Sequence, residues 1–176
     1  MDPHKIRLIY FGHFENEFLG MIKEAVVNEF RLHVELKEAH LDLTEFYDAA
    51  RRQYDGNKLL KKIDYSYGSD SFKTLGLFNV DIFIPILTFI LGQAYLNGRS
   101  GIASSFRLDN ELYGMKKDDL LYLNRFRKEV IHELGHMLGL RHCNVPTCVM
   151  RSVTYVEDID QKSQSFCSSC RLTACL

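Results

Sequence analysis

The sequence predicts an α+β fold built around one long helix and closed by a small irregular lobe. Three observations predict it. A strand, a helix and a second strand succeed one another at the start, which is a βαβ unit, so strands one and two are expected to be parallel neighbours. Apolar residues recur at helical spacing from Lys117 to Leu138. Beyond Gly139 the periodicity fades, and all five cysteines (Cys143, Cys148, Cys167, Cys170, Cys175) fall within the last 34 of 176 residues.

The elements follow in order. "KIRLIYF" (Lys5 to Phe11) alternates as a strand does. Glu15 to Phe30 places Phe18, Ile22, Val26 and Phe30 on one helical stripe. Arg31 to Ala39 alternates again and reads as the second strand. Thr44 to Ala50 reads as short helix or irregular chain, and "NKLLKKI" (Asn57 to Ile63) as helix after Gly56. A buried strand is expected near Val80 to Ile84. "GRSGIASSFRL" (Gly98 to Leu108) reads as a strand with a glycine-rich entry, its serines suiting one exposed edge. In the long helix, Leu123, Phe126, Val130, Leu134, Met137 and Leu138 gather on the core stripe.

Composition excludes several function classes. The formal net charge of −1 gives no footprint for nucleic acid or an anionic membrane. The longest apolar run, Ile82 to Leu91, is too short to span a bilayer and contains Pro85. "MDPHKIRLIYFG" enters a strand directly and does not read as a signal peptide. The expectation is a soluble, cytoplasmic protein. In such a reducing compartment, clustered cysteines are more often metal ligands than disulfides.

The chemistry is concentrated in "HELGHMLGLRHCNVPTCVM", His132 to Met150. His132 and His136 are four apart and share a helix face, nearly opposite the leucine stripe. A bare HExxH arises by chance, and two solvated surface histidines are its bland explanation. The extension argues otherwise. Gly139 accepts the left-handed backbone of a sharp turn, which lets the chain double back and bring in His142. Three neutral imidazoles with a fourth position left for water make a catalytic zinc site. Glu133 is then placed to take a proton from that water and return it to a leaving amine. Met150 reads as an apolar floor beneath the site.

Cys143 and Cys148, with the CxxC of Cys167 and Cys170, have the spacing of a closed tetrahedral structural zinc. Two disulfides and a redox-active CxxC are the alternatives. Redox-active CxxC motifs open a helix, and "SFCSSCRLTACL" offers little room for one. Cys175 receives no role. His4, His13, His33 and His40 read as surface or strand histidines, "KKDD" (Lys116 to Asp119) as a solvated helix start, and Tyr155 as a packing residue. No oxyanion-stabilising group is identified.

The run HExxHxxGxxH, followed by Cys143, Cys148, Met150 and a CxxC after sixteen residues, resembles the archaemetzincin family of zinc metallopeptidases. "RRQYDGNKLL" (Arg51 to Leu60) and "VDIFIPILTFILGQA" (Val80 to Ala94) extend the resemblance at lower specificity. The resemblance implies a zincin-like metzincin fold: a twisted mixed sheet with an edge strand over the cleft, a long active-site helix and a zinc-stapled C-terminal subdomain. It divides the chain into 1–139 and 140–176. It implies two zinc ions per chain, one on His132, His136 and His142 and one on Cys143, Cys148, Cys167 and Cys170, with Glu133 catalytic. Substrates would be peptides or proteins, bound along a sheet edge expected at Gly101 to Phe106. A monomer is expected, with no nucleic-acid or membrane partner. Three other functions compete: a non-catalytic scaffold that binds peptides or proteins, a redox-responsive zinc switch and, last, a zinc-ribbon nucleic-acid binder.

Overall fold

The computed structural model describes residues 5–68 and 73–176; His4 lies outside them. Strand β1 (Lys5–Phe11), helix α1 (Asn16–Phe30) and strand β2 (His33–Ala39) form the expected parallel unit, with Ile6 opposite Val34 and Leu8 opposite Leu36. Two short strands follow, β3 (Tyr47–Asp48) and β4 (Gln53–Asp55), then α2 (Gly56–Tyr67), capped by the Asp55 carboxylate accepting from the Lys58 amide. Next come β5 (Lys73–Phe78), β6 (Ile82–Phe83), β7 (Gly92–Ala94) and β8 (Ser100–Ser104). The long helix α3 (Asp119–Met137) and a short helix α4 (Ser168–Thr173) complete the regular elements, with a 3-10 turn at Val156–Gln161 between them.

The main sheet has the order β2-β1-β5-β8-β7, parallel throughout except for antiparallel β7. β3, β4 and β6 make a second, smaller sheet. Strand alternation divides the core in two. Ile6 and Leu8 of β1 face α1 and α3, while Ile9 and Phe11 face Leu59, Leu60 and Ile63 of α2. Phe14, Phe18, Tyr122 and Phe126 stack α1 against α3. The leucine stripe of α3 is buried as its spacing predicts, at Leu123, Phe126, Val130, Leu134 and Met137.

Three expectations need correction. The strand read at Val80 to Ile84 lies earlier: β5 spans Lys73–Phe78, and only Ile82–Phe83 of the predicted segment is strand. The edge strand is β7, not Gly101 to Phe106. β8 lies inside the sheet with every residue buried, and its serines suit it because their hydroxyls find acceptors: Ser100 donates to Asp64 at 2.8 Å and Ser104 to the Val80 carbonyl at 2.6 Å. The CxxC does open a helix, α4, with Cys167 at its N-cap. Among the described residues, no helix is long and apolar enough to cross a membrane.

Candidate metal centres and active site

α3 starts where Asp118 caps it, accepting from the Leu121 amide at 2.9 Å. It ends at Gly139, whose φ of 90° is in the left-handed region. There the Gly139 amide donates to the His136 carbonyl at 2.9 Å and the Leu140 amide to the Gly135 carbonyl at 3.0 Å, a Schellman closure. The turn serves the site directly. The Leu140 carbonyl it presents lies 2.7 Å from His136 Nδ1. His132 Nδ1 meets the Val149 carbonyl at 2.8 Å.

Those two contacts fix the tautomers. A carbonyl only accepts, so each Nδ1 carries the proton and each Nε2 presents a lone pair. The two Nε2 atoms stand 3.1 Å apart. Two lone pairs at that distance repel unless a cation lies between them. Ligand nitrogens of a tetrahedral zinc at ~2.0–2.1 Å would be about 3.3 Å apart. His142 completes the set, with the three ligand atoms within 4.8 Å of one another. Burial holds all three imidazoles toward the neutral form, most strongly His132. The donor set fits zinc.

Glu133 is buried beside them, 4% exposed. Its Oε2 has no hydrogen-bond partner among the described residues. A buried carboxyl oxygen without a partner is costly, and a metal-bound water is the partner this geometry lacks. Burial pushes the Glu133 carboxyl well above its ordinary range, and the neighbouring Glu129 carboxyl pushes it further.

The cysteines form a separate cluster, with Cys143, Cys148, Cys167 and Cys170 Sγ atoms within 4.8 Å of one another. Cys143 and Cys167 are 3.8 Å apart, as are Cys148 and Cys170. That is the edge of a tetrahedral thiolate site with ~2.3 Å metal–sulfur bonds and far beyond a disulfide bond. The start of α4 lowers the Cys167 thiol to about 7, chiefly through the Cys170 amide, whereas burial pushes Cys170 up. The helix therefore favours a thiolate ligand, and its presence removes the sequence argument against redox chemistry without touching the four-sulfur geometry. Cys175 is exposed and outside the cluster.

A cleft of about 1150 Å³ runs between β7 and the imidazoles. His132, Glu133, His136 and His142 all line it, as does Arg141. Tyr155 does not, and it is 68% exposed. His13, His33 and His40 are exposed, and so are Lys116 to Asp119. The sequence reading missed Gly92, Gly135, Glu129 and Lys162. Gly92 carries β7 directly over Glu133, and Gly135 leaves the space that Met150 and Phe166 fill. Glu129 and Lys162 line the cleft. Only Gly135 carried a signal, as a glycine inside a helix.

The family model for peptidase family M54 matches residues 5–174. The chain belongs to that family. It is a zinc metallopeptidase of the archaemetzincin group within the metzincin clan. An archaemetzincin from Sulfolobus acidocaldarius is 34% identical over 169 residues, covering 95% of this chain and 94% of that one. Among solved structures, a zinc-dependent peptidase from Methanocorpusculum labreanum superposes with a TM-score of 0.85 at 27% identity, covering 96% of this chain and 99% of that one. The archaemetzincin from Methanopyrus kandleri superposes at 0.84 with 31% identity, covering 97% and 93%.

Proposed function

We propose that this peptidase binds an extended peptide along the free edge of β7 and cuts it with Glu133 as general base and then general acid. The observation that carries the proposal is the buried Glu133 oxygen without a partner, set beside the Nε2 lone pairs of His132 and His136 and a ring nitrogen of His142. A zinc ion on His132, His136 and His142 supplies an activated water and polarises the scissile carbonyl. The chain's own groups do the rest. β7 pairs with β8 on one side and ends the sheet, so its other edge offers backbone groups to a substrate strand. Gly92 permits β7 itself to lie against Glu133. Glu133 holds the proton taken from the water and delivers it to the leaving amine. A scaffold that only binds peptides has no use for that carboxyl.

The division into 1–139 and 140–176 is read here as functional: the first part supplies the sheet and helix, the second the cleft's opposite wall. Cys143, Cys148, Cys167 and Cys170 hold the structural zinc in this reading. Four free thiols held as ligands suit a reducing compartment, which supports a cytoplasmic location and a peptide or protein substrate found there. The protein is taken to act as a monomer.

The test is Glu133→Ala assayed on a broad peptide library with zinc content measured in parallel. Hydrolysis is expected to fall by about 10³-fold, within the range that positioned acid–base groups contribute, with zinc per chain unchanged. Turnover at the wild-type level would sink the proposal.

A further inference from the structure

Besides the exposed Arg141, the cleft has two buried charged groups that the mechanism does not use. Glu129 lies one turn before Glu133 on α3, and Lys162 follows the 3-10 turn Val156–Gln161. Both line the cleft, and each is 4% exposed. They are held by a built framework. Arg125 pairs with both oxygens of Asp160 at 2.8 and 2.7 Å, and Lys128 donates to the Ile159 carbonyl at 2.9 Å. These bonds dock the 3-10 turn on α3 and fix where Lys162 begins.

The two groups are unequally satisfied. The Glu129 carboxyl is engaged with that of Glu133. The Lys162 ammonium has three N–H donors. One reaches the Arg151 carbonyl at 3.0 Å. Among the described residues Lys162 makes no ion pair, and Glu129, Glu133 and Cys148 act on it only as neighbouring charges. A buried ammonium short of acceptors is costly, and an incoming anion relieves that cost.

Direction follows from the chemistry. Glu133 delivers its proton to the leaving amine, so the substrate residue that begins with that amine lies on the Glu133 side. Ser152, Val153, Thr154 and Lys162 line the same cleft, and Lys162 is close enough to Glu133 to act on its charge. We propose that this part of the cleft receives a carboxylate from that substrate residue, and that Lys162 binds it. The carboxylate is either an Asp or Glu side chain or the terminal carboxylate of a peptide ending at that residue. Only the direction of the substrate rests on the peptidase reading; the carboxylate site does not.

The test measures binding rather than cutting. Zinc-loaded Glu133→Ala protein is titrated with fluorescently labelled, otherwise neutral octapeptides in which Glu or Gln is stepped through each position. A set of shorter peptides carries free or amidated C-termini. At one position Glu is expected to bind about tenfold tighter than Gln, roughly 1.4 kcal/mol. Lys162→Met, added to that background, is expected to reduce the ratio to about one, as one charge-assisted contact is lost. Lys162→Gln serves if the methionine variant fails to fold. A gain confined to free termini assigns the site to a terminal carboxylate, and a gain in amidated peptides assigns it to a side chain. The absence of preference at every position and terminus overturns the proposal, as does a preference that survives loss of Lys162. A protein that shows the preference but whose wild-type form never cuts keeps the carboxylate site and loses the peptidase reading. One that cuts without preference does the reverse.

Discussion

Gly92 and Glu133 are in contact: a Cβ built on residue 92 would stand 2.6 Å from Cγ of the glutamate and 2.8 Å from its Cδ and Oε1. The edge strand of the cleft and the Glu133 carboxyl are therefore fitted to each other across a space that admits no side chain. Gly92→Ala is expected to push Glu133 out of place while leaving both metal sites intact. Hydrolysis should fall by about 10²-fold, the scale of a 1 Å misplacement, with two zinc ions per chain retained. Steady-state kinetics beside elemental analysis checks both halves.

The second prediction concerns the metals. Native mass spectrometry of protein purified without chelator should show two zinc ions per chain. His142→Ala should leave one, tightly held and resistant to mild chelation. Cys170→Ser should destabilise the C-terminal lobe by about 3 kcal/mol or more, a fall of roughly 6–12 °C in Tm for a chain of this size. A stable Cys170→Ser protein with undiminished zinc would refute the structural site.

Beneath the site, Gly135 holds open the space occupied by Met150. An alanine Cβ there would collide with Met150 Sδ and lie 2.9 Å from Phe166 Cε1. Gly135→Ala would ordinarily favour a helix. Here it should destabilise by about 1–3 kcal/mol and lower activity, because displacing Met150 shifts the adjoining Val149, whose carbonyl holds His132. Denaturant unfolding at matched zinc loading measures it.

The fourth prediction is a pH dependence away from the metals. Lys5 and Arg7 hold the Glu35 carboxyl down to about 2 from an ordinary 4.5, chiefly through side-chain hydrogen bonds. A carboxylate lowered on folding stabilises the native state above its unfolded pKa. That contribution is complete above 4.5 and is lost as pH falls through about 2. The pair is partly exposed, so the effect should be small and salt-sensitive. Glu35→Gln should therefore lower stability slightly at neutral pH, and its difference from the wild type should shrink below pH 4.5 and vanish near pH 2.

Much of this was legible in the residues. The βαβ unit, the long helix and its buried stripe follow from periodicity, and the imidazole set from the turn that Gly139 permits. The four cysteines announced their cluster by spacing. What stayed hidden has physical reasons. β7 is three residues long, too short for alternation to register. β8 looked like an edge because its serines are polar, and only their buried partners, Asp64 and the Val80 carbonyl, explain them. Arg125 and Lys128 of α3 are charged yet buried, because the 3-10 turn from a distant part of the chain packs on them. No local pattern encodes such a partner.

One peptide bond joins His142, a ligand of the first metal, to Cys143, a ligand of the second. The Cys143 amide in turn donates to the Met150 carbonyl at 3.0 Å. During synthesis the ribosome delivers His132 and His136 well before Cys167 and Cys170. Until those last two thiols arrive, the four-cysteine cluster cannot brace the segment that carries the third imidazole. Of the three imidazoles, that of His142 is therefore the last to be braced.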